Sequence, residues 1–190
     1  MRRLSLLLAI VVAAGCGGGS KTSDERTLTS LDPAKDYSLV IRTNLGSFTV
    51  ALDQKLAPHT SASLVSLARK GFFDHTIFHR IVPGFVIQGG DPTGTGSGGP
   101  GYATVDPPPA DARYTKGVVA MAKTQDEAPG TAGSQFFVVT GQDAGLPPDY
   151  AIVGRVVKGL EVVERIGRLG DTSQQRTEKV EIENARVTVS

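Results

Sequence analysis

The stretch Phe78–Asp91, FHRIVPGFVIQGGD, sets Arg80 inside a run of Phe78, Ile81, Val82 and Phe85 that otherwise reads as strand. Burying a guanidinium among such neighbours costs on the order of several kcal/mol unless something pairs with it. The candidate strands TIFHRIV (76–82) and FVIQ (85–88) lie on either side of Pro83-Gly84. Moving outward, YSLVIRT (37–43) and GSFTVALD (46–53) are β-rich runs whose link through Asn44-Leu45-Gly46 predicts a hairpin. GVVAMA (117–122), QFFVVT (135–140) and AIVGRVV (151–157) are further strands, and KVEIENARVTV (179–189) alternates apolar with polar residues as a last one. A helix is expected from Pro58, with Leu64, Leu67 and Ala68 on one face and a stop at Gly71; a second is expected at LEVVERIGR, between Gly159 and Gly170. Many short strands with two helices and few long crossovers predict a mainly β fold. The expected architecture is an antiparallel sheet closed into a barrel, because closure removes exposed edges, with the helices over its open ends.

Composition narrows the function classes. The chain has 190 residues, 39% of them hydrophobic, and a net charge of +1, which fits one soluble domain with a short appendage. Lys and Arg are scattered among nearly equal numbers of Asp and Glu, so no basic stripe points to nucleic acid. A single Cys excludes an internal disulfide.

That Cys ends the opening segment MRRLSLLLAIVVAAGC, in which two arginines precede an apolar run from Leu6 to Ala14. This is the pattern of an export signal. The run is too short for a bilayer core of about 30 Å, which needs about 20 residues. AAGC resembles the lipobox of bacterial lipoproteins, which implies cleavage before Cys16 and lipid attachment to it. A plain secretory signal with an incidental Cys is the alternative. Residues 17–36 are rich in Gly, Ser, Thr and charge without an apolar period, the composition of a flexible tether. The expected organisation is therefore a signal peptide with lipobox (1–16), a tether (17–36) and a folded domain (37–190). The domain is expected outside the cytoplasm, anchored to the cell membrane through its N-terminal lipid.

Several motifs invite chemistry and fail on context. GTGSGG (94–99) matches G-x-G-x-x-G, but Pro100-Gly101 follows at once, so no helix starts there to hold a phosphate. Its glycines are expected to let a long loop turn sharply and bring its backbone close to another group. His75 and His79 would share a strand face with Ile77, yet Thr76 stands where a metalloprotease helix needs Glu, and no metal site is expected. Ser134, in AGSQF, lacks the first glycine of a nucleophile elbow. What remains is Arg80 with Phe85, Gln88, Met121, Gln135, Phe136, Phe137 and Leu146. Taken alone, the preferred reading of Arg80 is a structural pairing with a nearby acid at the barrel rim.

Five blocks in order decide between these readings. FFDHTIFHR, FHRIVPGFVIQGGD, GVVAMAK, GSQFFVVT and AIVGRVVKGLEVVERI together resemble the cyclophilin-type peptidyl-prolyl cis-trans isomerases, over roughly Tyr37 to Val189. The resemblance implies an eight-stranded barrel capped by two helices, and acceleration of rotation about X-Pro bonds. It puts the catalytic arginine at Arg80, with Gln88 beside it, and the proline pocket at Phe85, Val86, Met121, Phe137 and Leu146. Gln135 matches a polar residue near the arginine, and Ala122 and Lys123 lie where the substrate backbone is held. Three positions depart from the common pattern: Gly145 stands where many members have a Trp that contacts cyclosporin, Tyr150 where many have His, and Lys123 where Asn is common. Val86, where Met is usual, keeps the pocket apolar. The partners implied are proline-containing polypeptides and, through the lipid, a membrane; a monomer without cofactor is expected. A binding module that holds proline segments without turnover is the main rival.

Overall fold

The computed structural model describes residues 30–171 and 177–190. The expected signal segment with Cys16, and the tether as far as residue 29, lie outside the described residues. Two-residue alternation builds the framework. The strands are β1 (Tyr37–Thr43), β2 (Gly46–Leu52), β3 (Thr76–Ile77), β4 (Arg80–Val82), β5 (Val86–Gly89), β6 (Thr104–Val105), β7 (Val118–Met121), β8 (Thr131–Ala132), β9 (Phe136–Val139), β10 (Ile152–Lys158) and β11 (Glu181–Val189). The helices are α1 (Pro58–Arg69) and α2 (Leu160–Gly167). Nine strands pair antiparallel in the order β3-β11-β1-β2-β10-β7-β9-β5-β4. The first and last of these, β3 and β4, are separated along the chain only by Phe78 and His79. One interrupted strand, 76–82, thus joins the two ends of the ladder, and with it counted once the barrel has the expected eight strands.

The single strand expected over 76–82 is interrupted at Phe78-His79, where it changes partners: the Phe78 N–H to the Val180 carbonyl extends the pairing with β11 by one step, and from Arg80 the segment pairs with β5. The two histidines do not share a face. His75 precedes β3 with φ of 64°, exposed and paired with Glu181 at 2.9 Å, whereas His79 is buried. Alternation cannot extend to a residue in the left-handed turn before the strand. The small ladder of β6 with β8 was not expected either, because two residues carry no period.

Inside the barrel, Leu39, Ile41, Phe48, Val50, Phe78, Ile81, Ile87, Val119, Met121, Phe136 and Val138 form one apolar cluster. Leu64 and Leu67 of α1 and Val162, Val163 and Ile166 of α2 enter the same cluster, so each helix puts an apolar face into the barrel. The first turn of α1 has Pro58 but no side-chain cap from Ala57. Its orphan donor is met from a distant loop: the Asp106 carboxylate accepts from the Thr60 N–H at 2.7 Å and the Thr60 hydroxyl at 2.6 Å. Asp106→Ala is expected to lower unfolding free energy by about 1–3 kcal/mol, read as a lower urea midpoint. A midpoint equal to that of the parent chain would show that the carboxylate is not holding the helix.

Candidate active site

Strand register assembles the site on the outer face of the barrel. Arg80 pairs across to Gln88, Gln88 to Phe137 and Phe137 to Ala120, so four residues from four strands form one row. The next row, Ile81, Ile87, Val138 and Val119, points the other way into the core, because neighbouring residues of a strand face opposite sides. Strands lie about 4.8 Å apart, so the register alone brings a guanidinium within two strands of the Phe137 ring.

Around this row opens a cleft of about 270 Å³ lined by Arg80, Phe85, Val86, Gln88, Ala122, Lys123, Phe137, Leu146 and Tyr150. Nine of the expected site residues thus meet in one place. Arg80 is half-buried; its Nη1 donates to Gln88 Oε1 at 3.4 Å, and its guanidinium carbon lies 5.9 Å from the centre of the Phe85 ring. The apolar floor is a second cluster of Val86, Val118, Ala120, Phe137 and Val139, with Phe85, Leu146 and Tyr150 against it.

Met121 is the correction. It is 0% exposed and belongs to the barrel interior, while its neighbours Ala120 and Ala122 face the site. The two-residue period of β7 decides this: a strand that shows its alanines to the cleft must turn Met121 away. Gln135 lies one step outside the cleft, in the wall of an adjoining hollow of about 440 Å³ that also includes Gly96–Ala103, Thr124 and Glu127.

Lys123 is folded down rather than extended into solvent. Its side chain is 3% exposed, its Nζ meets Asp149 at 2.7 Å and donates to the carbonyls of Thr124 and Glu127 at 3.0 Å, and it lies 5.8 Å from the Tyr150 ring centre. Tyr150 in turn stands edge-on to Phe137, with ring centres 5.6 Å apart. Beneath both is Tyr114, a site-supporting residue that the sequence reading missed. Its hydroxyl donates to the Tyr150 carbonyl at 2.8 Å and accepts from the Tyr150 N–H at 3.0 Å, and burial pushes its phenol above the ordinary value. Nothing in the polar segment around Tyr114 signals this, since the residues it supports are 23 or more positions away in the chain.

The glycine-rich loop does bring its backbone close to other groups. Asp91, 0% exposed, accepts on Oδ1 from the N–H and hydroxyl of Thr93 at 2.7 and 2.8 Å. Its Oδ2 accepts from the N–H groups of Thr95, Gly96 and Gly98 at 3.1, 2.6 and 3.1 Å. Burial by itself would raise this carboxyl; the converging donors outweigh it and hold the group well below the usual carboxylate range. A Cβ on Gly98 would overlap the Asp91 carboxylate. Ser134 is buried and donates to the Gly90 carbonyl at 2.7 Å, a structural bond.

A family profile for cyclophilin type peptidyl-prolyl cis-trans isomerases matches residues 38–187. The chain belongs to that family. Among its relatives, this cyclophilin is 41% identical over 150 residues to peptidyl-prolyl cis-trans isomerase-like 1 of Aspergillus oryzae, covering 76% of this chain and 91% of that one. It is 37% identical over 142 residues to peptidyl-prolyl cis-trans isomerase CYP18-2 of Arabidopsis thaliana, covering 73% and 85%. The crystal structure of a Cryptosporidium parvum cyclophilin type isomerase superposes with a TM-score of 0.73 at 30% identity, over 80% of this cyclophilin and 98% of that one. A second crystal structure of the Cryptosporidium parvum protein, obtained in the presence of the dipeptide Ala-Pro, gives a TM-score of 0.72 at the same identity. The protein is a peptidyl-prolyl cis-trans isomerase of the cyclophilin type.

Proposed function

We propose that the cleft around Arg80 and Phe137 binds proline segments of exported polypeptides and catalyses their isomerisation outside the cytoplasm, with the domain held to the membrane through a lipid on Cys16. The observation that carries the catalytic part is the row in which a half-buried guanidinium stands two strands from an aromatic floor. An amide resists rotation by about 18–20 kcal/mol because its nitrogen shares a lone pair with the carbonyl. Half-way through the rotation that lone pair returns to nitrogen, which becomes a hydrogen-bond acceptor. A guanidinium N–H aimed at it stabilises the twisted amide more than either planar form, and only such a difference accelerates the reaction. No bond breaks and no proton needs to move. Phe85, Phe137 and Leu146 grip the proline ring, and their apolar surface strengthens the hydrogen bond by keeping water away. Removing about 8 kcal/mol of the barrier corresponds to roughly a millionfold gain in rate.

Turnover on a panel of X-Pro peptides in a protease-coupled assay tests the catalytic reading, and peptide binding without turnover would favour a holding module instead. The location rests on residues 1–16 of this chain: a charged start, an apolar run and a terminal AAGC. Several acyl chains at about 0.8 kcal/mol per buried methylene would anchor the domain firmly. Newly exported chains fold there, and X-Pro rotation is among their slow steps. Cys16→Ser is expected to move the protein from the membrane pellet to the soluble exported fraction. Persistence in the pellet would count against lipidation.

A further inference from the structure

The glycine-rich loop has no part so far in the reaction, yet it is wired to Arg80. Its N–H groups at Thr95, Gly96 and Gly98 turn inward to Asp91, and its carbonyls at Gly96 and Gly98 turn outward, each accepting from Gln135 Nε2 at 2.9 Å. A carbonyl can only accept, so this contact fixes which end of the Gln135 amide faces the loop. The other end, Oε1, then accepts from Gln88 Nε2 at 3.1 Å. That in turn leaves Gln88 Oε1 as the atom facing Arg80 Nη1. Reversal of the two glutamine amides would set an N–H against the guanidinium, donor against donor.

We propose that Asp91 and the loop it holds, 93–98, are positioning elements for the catalytic arginine, acting through Gln135 and Gln88. Asp91 sets the peptide planes of the loop, the loop sets Gln135, Gln135 sets Gln88, and Gln88 aims the guanidinium. The relay orients Arg80 without touching the proline ring, so its loss lowers kcat more than it raises KM.

The inference rests on Arg80 being the group that acts on the twisted amide, and the test separates the two ideas. Asp91→Asn and Gln135→Met are each made in the parent chain and in an Arg80→Ala background, with kcat and KM measured on an Ala-Pro peptide. In the parent chain each is expected to lower kcat about 5- to 20-fold with KM within about twofold. In the Arg80→Ala background neither is expected to lower the residual rate further, because the relay has nothing left to aim. Equal losses in both backgrounds, or a raised KM with kcat unchanged, would overturn the relay while leaving Arg80 catalytic. An Arg80→Ala chain as active as its parent would overturn both. Should Asp91→Asn fail to fold by near-ultraviolet circular dichroism, Gln135→Met decides alone, since that side chain lies in the wall of the open hollow rather than in the barrel core.

Discussion

Arg80→Ala is expected to lower kcat for an Ala-Pro test peptide by at least tenfold while the fold stays intact. The guanidinium stands on the outer face of the barrel, half-buried, with its contacts to Gln88 and Phe85. Removing it takes away the donor to the twisted nitrogen and leaves the apolar floor in place. The loss should therefore fall on kcat, and a tenfold change needs only about 1.4 kcal/mol of transition-state stabilisation. Arg80→Lys keeps the charge but not the planar fork, so it is expected to recover only part of the rate. The denaturation midpoint should move little, because the interior row beside Arg80 is supplied by Ile81, Ile87, Val138 and Val119. Full activity in Arg80→Ala would remove the proposed mechanism.

Phe137→Ala should act on binding and on stability together. The ring is 4% exposed and packs against Tyr150 at 5.6 Å and Tyr114 at 6.4 Å between ring centres. Its removal opens a cavity beneath the cleft, at a cost of about 3–5 kcal/mol. Substrate and twisted state both lose the surface that grips the proline ring, so KM is expected to rise about tenfold or more while kcat changes less. Phe137→Leu, which keeps most of the volume, should retain near-parent stability and show a smaller rise in KM. A stable Phe137→Leu chain with KM and kcat both unchanged, beside a Phe137→Ala chain whose KM is also unchanged, would mean that proline is held elsewhere.

Much of the fold was legible from residue pattern. The hairpin at 37–52, the helix beginning at Pro58 and the helix beginning at Leu160 fall where turn residues and apolar spacing put them. Local rules suffice there, because a turn or a helix start depends on a few adjacent residues. The break at Phe78-His79 was not legible, since it falls where the segment passes from pairing with β11 to pairing with β5, and no local pattern names those partners. Met121 failed for a different reason: a four-residue apolar strand buried on both faces has no alternation to read, so which side faces the cleft is left to its partners. Likewise the cap of α1 comes from Asp106, 46 positions from Thr60.

By itself the sequence determined the kind of fold and the family, because strand periods, turn residues and five ordered blocks are all carried by neighbours along the chain. Only the tertiary structure decided that Arg80, Gln88, Phe137 and Ala120 stand in one row, that Met121 turns inward, and that a buried Asp91 orders the loop behind Gln135. Register and hydrogen-bond direction are properties of strands and loops brought together from distant parts of the chain. A one-residue slip in any of those pairings would exchange the site face for the core face without altering a single local preference.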